Sequence, residues 1–425
     1  MKSIPQFLIS APSSGSGKTT ISRAIMQALH NRGLSVQPFK CGPDYIDTKF
    51  HSLACQRGSV NLDSFMASPN HIESIYSHYC QDADAAIVEG MMGMFDGYCK
   101  DAGSTAEIAA ILNIPIVLVV DAKSAAYSVA PLLQGFKNFS QKVNILGVIF
   151  NKTGSQRHLN MLKEVCSDVD ICYLGCLPYS GNAEQPSRYL GLDFSANSSI
   201  SEFVKLVEEN IDLNSIIKLS TRELPPQKEF MQYPHRVLIA QSEESFSFTY
   251  REHLDRWPNK LFFNPEENKP IEQDIDLLYL PGGYPEKHLE KLSRATKTIA
   301  SIREYAQSGG KILAECGGMA YLCKCVENED GRYELCNILP YTVDAKKEAR
   351  KLSLGYRKVL FESGEELNGH EFHYTQFKEM PQSSVAEVYN ARGERVNSPI
   401  FRAGNVICGY PHLYWGAKDI MTIFQ

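Results

Sequence analysis

The stretch Ile9-Ser10-Ala11-Pro12-Ser13-Ser14-Gly15-Ser16-Gly17-Lys18-Thr19-Thr20 constrains the fold more than any other part of the chain. An apolar run at residues 7–9 enters a loop of small residues. Gly-Lys-Thr then opens a helical pattern through Ile21, Ala24, Ile25, Ala28 and Leu29. Strand, glycine loop and helix in that order are the context a phosphate-binding P-loop requires. Small residues let backbone N–H groups close on phosphate oxygens, and the helix N-terminus adds partial positive charge. Ser14, Gly15, Ser16, Gly17, Lys18, Thr19 and Thr20 are therefore candidate ATP-binding residues. Lys18 reaches the β- and γ-phosphates, and the Thr19 hydroxyl completes a Mg²⁺ shell. Pro12 stands where the usual motif carries its first glycine.

Further strands and helices alternate down the first half, which predicts a doubly wound, mostly parallel sheet. A second strand, residues 34–40, runs into Gly42-Pro43-Asp44-Tyr45-Ile46-Asp47. Two carboxylates three apart after Gly-Pro suit Mg²⁺ or the group receiving phosphate; equally, Asp44 suits a turn and Asp47 a helix cap. The strand at residues 85–88 ends on Glu89, at the sheet edge where ligands bind in open α/β folds, so Glu89 is a second candidate Mg²⁺ ligand. The loop bearing Gly90, Gly93 and Gly97 suits a cover for the γ-phosphate. Asn151, at another strand end, is a candidate adenine contact or a turn-forming residue. Arg188 lies in a polar loop, where its guanidinium suits a carboxylate or phosphate. Residues 200–219 read as one amphipathic helix, and the Pro-rich, charged run at residues 223–235 reads as a linker. The expected domains are thus 1–222 and 236–425.

Two domains suit 425 residues. The net charge of −6 argues against a large nucleic-acid footprint, and the apolar runs are too short to cross a bilayer. Twelve cysteines scattered through apolar segments, with no signal-peptide pattern, predict a reduced cytoplasmic protein.

The second half opens with a strand at residues 236–240, and residues 245–250 are expected to start a helix. A strand at residues 276–280 leads into Pro281-Gly282-Gly283-Tyr284-Pro285-Glu286. The run Leu313-Ala314-Glu315-Cys316-Gly317-Gly318-Met319 reads strand, sharp turn, helix: a nucleophile elbow with sulfur in place of oxygen. A helix N-terminus lowers the thiol pKa, and Gly283 with Gly317 would supply an oxyanion hole. A cysteine nucleophile needs a base, and His370, His373 and His412 are the candidates. The His370–His373 spacing also invites a metal reading with Cys323, Cys325 or Cys336, although that is not a zinc spacing.

These motifs together resemble the cobyrinate a,c-diamide synthase family. The resemblance rests on Ser-Gly-Ser-Gly-Lys-Thr-Thr, Phe-Lys-Cys-Gly-Pro-Asp-Tyr-Ile-Asp (39–47), Asn-Leu-Asp (61–63) and Val-Glu-Gly-Met-Met-Gly-Met-Phe-Asp-Gly (88–97). It continues through Gly-Gly-Tyr-Pro-Glu (282–286), Ala-Glu-Cys-Gly-Gly-Met (314–319), Gly-His-Glu-Phe-His-Tyr (369–374) and the segment around His412. It implies a dethiobiotin-synthetase-like P-loop domain followed by a class I glutamine amidotransferase-like α/β domain. The substrates it implies are a cobyrinic acid-type corrinoid, glutamine and ATP with Mg²⁺, and a homodimer is compatible with it. Cys316 would release ammonia from glutamine with His412 as base, while the first domain phosphorylates the a and c acetates, which ammonia then converts to amides. Matched motif to motif, Thr19, Asp44 and Glu89 would hold Mg²⁺ and Asp47 would lie beside the acetate. Three departures stand out: Leu413-Tyr414 follow His412 where the common pattern is His-x-Glu, leaving the imidazole's orienter unnamed; Pro281 stands where another Gly is expected before Gly-Gly-Tyr-Pro-Glu; and Tyr189 replaces the family's usual His. Alternatives are the same reaction on hydrogenobyrinic acid or nickel-sirohydrochlorin, and, from another class, a P-loop ATPase switch without synthetase activity.

Overall fold

The computed structural model describes residues 2–179, 197–380 and 383–425. The Arg188 and Tyr189 loop lies outside them. The chain forms two compact units, Met1–Ser64 with Ser68–Phe230, and Phe65–Ala67 with Met231–Gln425.

The first unit runs β1 (Ser3–Ser10), α1 (Lys18–Asn31), β2 (Val36–Cys41), α2 (Asp47–Cys55), β3 (Val60–Leu62), α3 (Pro69–Cys80), β4 (Ala85–Glu89) and α4 (Thr105–Leu112). It continues through β5 (Ile116–Asp121), α5 (Val129–Asn138), β6 (Ile145–Thr153), α6 (Gln156–Asp168), β7 (Tyr173–Pro178), α7 (Asn197–Asn210), α8 (Leu213–Ser220) and β8 (Thr221–Glu223). The strands lie in the order β3-β2-β4-β1-β5-β6-β7, all parallel, and β8 pairs antiparallel with the start of β1. Helices cover both faces, which is why the strands read as unbroken apolar runs rather than alternating ones. Phe7, Ile9, Val117, Val119 and Ile149 pack with Ile21, Ile25 and Leu29 of α1 and Val207 of α7 in one core. Winding runs to one side of β1 through β2–β4 and to the other through β5–β7, so a crevice opens at the carboxyl ends of the central strands. The expected single helix at residues 200–219 is two: α7 ends at Asn210, and Asp212 caps α8 by accepting the Ser215 N–H at 2.9 Å. An Asp competes with the helix backbone for that hydrogen bond and favours a cap over an interior position.

The second unit contains β9 (Arg236–Ala240), α9 (Arg251–Asp255), β10 (Asn259–Phe263), β11 (Leu277–Leu280), α10 (Leu289–Arg294), α11 (Thr296–Gln307), β12 (Ile312–Glu315) and α12 (Gly317–Leu322). There follow β13 (Cys323–Asn328), β14 (Gly331–Glu334), β15 (Leu339–Asp344), β16 (Ser353–Phe361), β17 (Glu366–His373) and β18 (Gln376–Phe377). The last strands are β19 (Ala386–Asn390), β20 (Ile400–Ala403), β21 (Val406–Gly409) and β22 (His412–Tyr414). Its central sheet has the order β10-β9-β11-β12-β21-β20, parallel except at β20; β14-β13-β15-β18 and β19-β16-β17-β22 form two smaller sheets. The helix expected from residue 245 begins only at Arg251. Residues 245–248 are instead tied to the Gly282 loop, whose carbonyl accepts the Ser247 and Phe248 N–H groups at 2.9 and 3.0 Å.

Candidate active site

In the first unit, the P-loop turns on Gly17, which caps α1 with φ 95°. A Cβ there would meet Asn151 Nδ2 at 2.3 Å, so glycine is needed both for its left-handed backbone and for space. Asn151 donates from that nitrogen to the Ser16 carbonyl at 3.0 Å and accepts the Lys152 N–H at 2.9 Å, bracing the loop. Ser16 Oγ donates to Ser13 O at 3.0 Å, and Lys18 Nζ donates to the same carbonyl at 3.2 Å. Ser14 and Gly15 form the exposed rim. The glycine loop after β4 lies on the P-loop, with the Met94 N–H donating to Ala11 O at 2.8 Å.

Parallel registry sets Glu89 beside Ile9 of β1 on one side and Lys40 of β2 on the other. Glu89 Oε1 takes the Thr19 hydroxyl and Lys40 Nζ, both at 2.7 Å, and Oε2 meets His51 Nε2 at 2.6 Å. Lys40 Nζ is also 2.7 Å from Asp47 Oδ2. Burial works against the Glu89 carboxylate, but Lys40 and His51 outweigh it and hold it well below the usual carboxylate range. Burial would likewise lower the Lys40 ammonium; Asp47 and Glu89 reverse this and raise it above its ordinary value. Asp44 turns its Oδ1 back on the Ile46 and Asp47 N–H groups, each at 2.8 Å, at the start of α2. Thr19, Glu89 and Lys40 are thus in direct contact, and Asp47 joins them through Lys40. Lys40 and His51 were missed by pattern reasoning. The available signal was a lysine ending an apolar strand, which is costly in a buried sheet unless paired.

In the second unit, β12 ends at Glu315 and α12 begins at Gly317, leaving Cys316 at φ 49°, ψ −110°. A non-glycine residue in that region is strained, and it aims the side chain outward at the top of the sheet. The Cys316 N–H donates to Gly409 O of β21 at 2.7 Å, three residues before His412. A pocket opens over the sulfur, walled by Gly283, Glu286, Gly317, Phe248, Phe372 and His373. Gly283 and Gly317 meet there: a Cβ on Gly317 would sit 2.9 Å from Gly283 O. Burial raises the Cys316 thiol, with Glu286 the strongest charge acting the same way and the Gly317 N–H opposing them.

The three histidines separate. His373 carries both ring nitrogens against oxygens, Glu371 Oε1 at 2.7 Å and Thr375 O at 2.8 Å, and stacks on Tyr410 at 3.6 Å. His370 meets the Tyr250 hydroxyl through Nδ1 at 2.8 Å; burial, then Arg357, lowers it to about 3. His412 stacks on His370 with centroids 4.9 Å apart, abuts Gly282, and brings Nδ1 within 3.9 Å of Glu315 Oε2. Burial, with the neighbouring His370 and His373, holds His412 well below its usual value. The pocket wall itself carries His373 rather than His412.

Glu315 is fully buried, accepts Tyr279 OH at 2.7 Å and Leu413 N–H at 2.9 Å, and is raised by burial to about 8. An acid raised on folding keeps a proton that the unfolded chain releases near pH 4.5, so it costs stability increasingly as pH climbs toward 8. Glu315→Gln is therefore expected to narrow the fall in melting temperature between pH 5 and pH 8. An unchanged pH dependence in thermal scans would refute this.

A P-loop crevice followed by an elbow cysteine facing paired glycines defines a class: a nucleotide-binding domain joined to a glutamine amidotransferase domain. Family models agree with both halves. Residues 7–192 match the "CobQ/CobB/MinD/ParA nucleotide binding domain" and residues 237–420 the "CobB/CobQ-like glutamine amidotransferase domain". Among curated relatives, the cobyrinate a,c-diamide synthase of Caldanaerobacter subterraneus subsp. tengcongensis is 35% identical, aligned over 89% of this chain and 88% of that protein. The hydrogenobyrinate a,c-diamide synthase of Brucella anthropi is 34% identical, over 96% of this chain and 98% of its own length. The cobyrinate a,c-diamide synthase of Saccharolobus solfataricus is 32% identical, over 99% and 100%. The chain belongs to the cobyrinate and hydrogenobyrinate a,c-diamide synthase family. Among the described residues no helix is long and apolar enough to cross a membrane.

Proposed function

We propose that this protein amidates the a and c acetate carboxylates of a cobyrinic acid-type corrinoid, using ATP and glutamine, in cobalamin biosynthesis. The observation that carries the reading is one chain holding a P-loop crevice with a paired acid and an elbow cysteine under two glycine loops. Residues 1–222 act as the synthetase and residues 236–425 as the glutaminase, joined by 223–235.

In the synthetase part, Ser14 to Thr20 cradle the triphosphate, with Asn151 at the wall beside it. Thr19 and Glu89 supply hard oxygen donors in contact, a set that fits Mg²⁺. Asp44, which accepts N–H bonds at the start of α2, lies near enough for its charge to act on Lys40. The metal, when bound, neutralises charge on the phosphates. The Lys40 ammonium offsets the charge on the acetate, with Asp47 beside it, as the carboxylate takes the γ-phosphoryl group and ADP leaves; ammonia then attacks the acyl phosphate carbonyl and expels phosphate, giving the amide.

In the glutaminase part, Cys316 attacks the side-chain amide of glutamine, and the Gly283 and Gly317 N–H groups receive the oxyanion. His412 takes the thiol proton and passes it to the leaving ammonia. The family resemblance around His412 supports this choice, and His412 abuts Gly282, next to Gly283 in the loop that walls the pocket. Glu315 lies 3.9 Å from His412 Nδ1, beyond hydrogen-bond reach, with its oxygens taken by Tyr279 OH and the Leu413 N–H.

Mass spectrometry of products from cobyrinic acid, hydrogenobyrinic acid and nickel-sirohydrochlorin tests the assignment. A gain of two amide groups on cobyrinic acid, dependent on both ATP and glutamine, is expected; no amidation of any of the three overturns it.

A further inference from the structure

We propose that Glu286 is the residue by which this pocket selects glutamine, its carboxylate pairing with the substrate's α-ammonium group. This rests on the reading of Cys316 as a glutaminase nucleophile and adds to it the device that recognises the amino-acid end.

Glu286 is half-buried in the wall that also carries Cys316, Gly283 and Gly317. Three basic side chains lie near it, Lys287, Arg350 and His288. Each is engaged elsewhere. Lys287 and His288 lie 3.9 and 3.3 Å from Glu244, His288 is also 3.5 Å from Glu266, and Arg350 donates to Ala345 O at 3.3 Å. Among the described residues none forms an ion pair with Glu286. Loss of water in the pocket accordingly holds its acid above the ordinary carboxylate range. A carboxylate placed this way leaves a cation-shaped demand beside the nucleophile. The amide donor brings such a cation. A charge-assisted pair in a partly desolvated pocket is among the stronger polar contacts, and a site built for it rejects an analogue lacking the donor.

The same geometry links binding to activation. Glu286 is the strongest charge opposing ionisation of Cys316, with Glu371 and Glu315 acting more weakly in the same sense. An α-ammonium seated on Glu286 cancels that opposition, so the thiolate forms more readily when glutamine is present.

The test compares hydrolysis of glutamine with that of glutaramate, the same acid without its α-amine, in the full-length wild type and in Glu286→Gln. Wild type is expected to prefer glutamine by about 100-fold or more in kcat/KM, and the variant to prefer it by less than about tenfold. Each ratio is formed within one preparation, so the folded fraction cancels. A second readout is the rate at which iodoacetamide modifies Cys316 without substrate, followed by peptide mass spectrometry. It should rise in the variant. A variant that keeps the wild-type preference overturns the proposal, as does a wild type that hydrolyses both compounds equally; either result leaves the glutaminase assignment standing. A wild type that hydrolyses neither compound removes the glutaminase reading itself, and this proposal with it.

Discussion

Cys316→Ser is expected to reduce glutamine-dependent amidation by about 10⁴-fold or more while leaving ammonium-driven amidation close to wild type. The expectation follows from division of labour. Sulfur is needed only to cleave the glutamine amide, where the thiolate is a far better nucleophile than an alcohol held by the same imidazole. Serine differs by one atom and inherits the backbone at φ 49°, so the elbow and the Gly317 N–H stay in place. Ammonium-driven synthesis should climb with pH, because only unprotonated ammonia attacks a carbonyl. Product formation from each nitrogen source, measured side by side, decides the matter. Equal loss with both sources would mean that Cys316 serves the fold or the synthetase, and the amidotransferase mechanism would fall.

Lys40→Met should abolish synthesis with either nitrogen source, by about 10³-fold, and destabilise the protein by about 3–5 kcal/mol. Lys40, Asp47 and Glu89 have side chains no more than 3% exposed. Removing the cation leaves two buried carboxylates without the ammonium they share, and His51 reaches only Glu89, whereas a hydrophobic replacement of the whole cluster would cost far less. Lys40→Met with Asp47→Asn should therefore recover part of the stability and none of the activity. Denaturant unfolding of the two variants separates the effects: if the single variant unfolds at the wild-type midpoint, Lys40 is not neutralising the pair. Glutaminase activity in the folded single variant should persist, since Cys316 belongs to a different unit.

Legibility in the sequence followed locality. The P-loop, the acid closing β4 and the elbow at Cys316 are each written in a dozen consecutive residues, because strand, tight turn and helix must follow one another for the backbone to present N–H groups. The contacts that complete those sites were not so written. Lys40 meets Glu89 because β2 lies beside β4, a pairing that skips β3 and shows in no run of residues. His51 reaches Glu89 from the buried face of α2, where a histidine reads as an ordinary core residue. The break between α7 and α8 was missed because amphipathic spacing continues across Asp212, and only the capping bond shows where the helix ends.

The sequence by itself therefore determined the class of chemistry: a nucleotide loop at the front, a sulfur nucleophile at the back, and the family to which the motifs belong. Only the tertiary structure decided how the buried charges are matched. It set Lys40 between Asp47 and Glu89, committed His373 to Glu371, brought His412 within 3.9 Å of Glu315, and put Glu286 in the same pocket wall as Cys316. The physical reason is that a backbone turn is encoded by the residues that make it. A buried charge is stabilised by whichever partner the sheet order and register bring within a few ångströms, and nothing local marks that partner: Lys40 is paired with Glu89, 49 residues on.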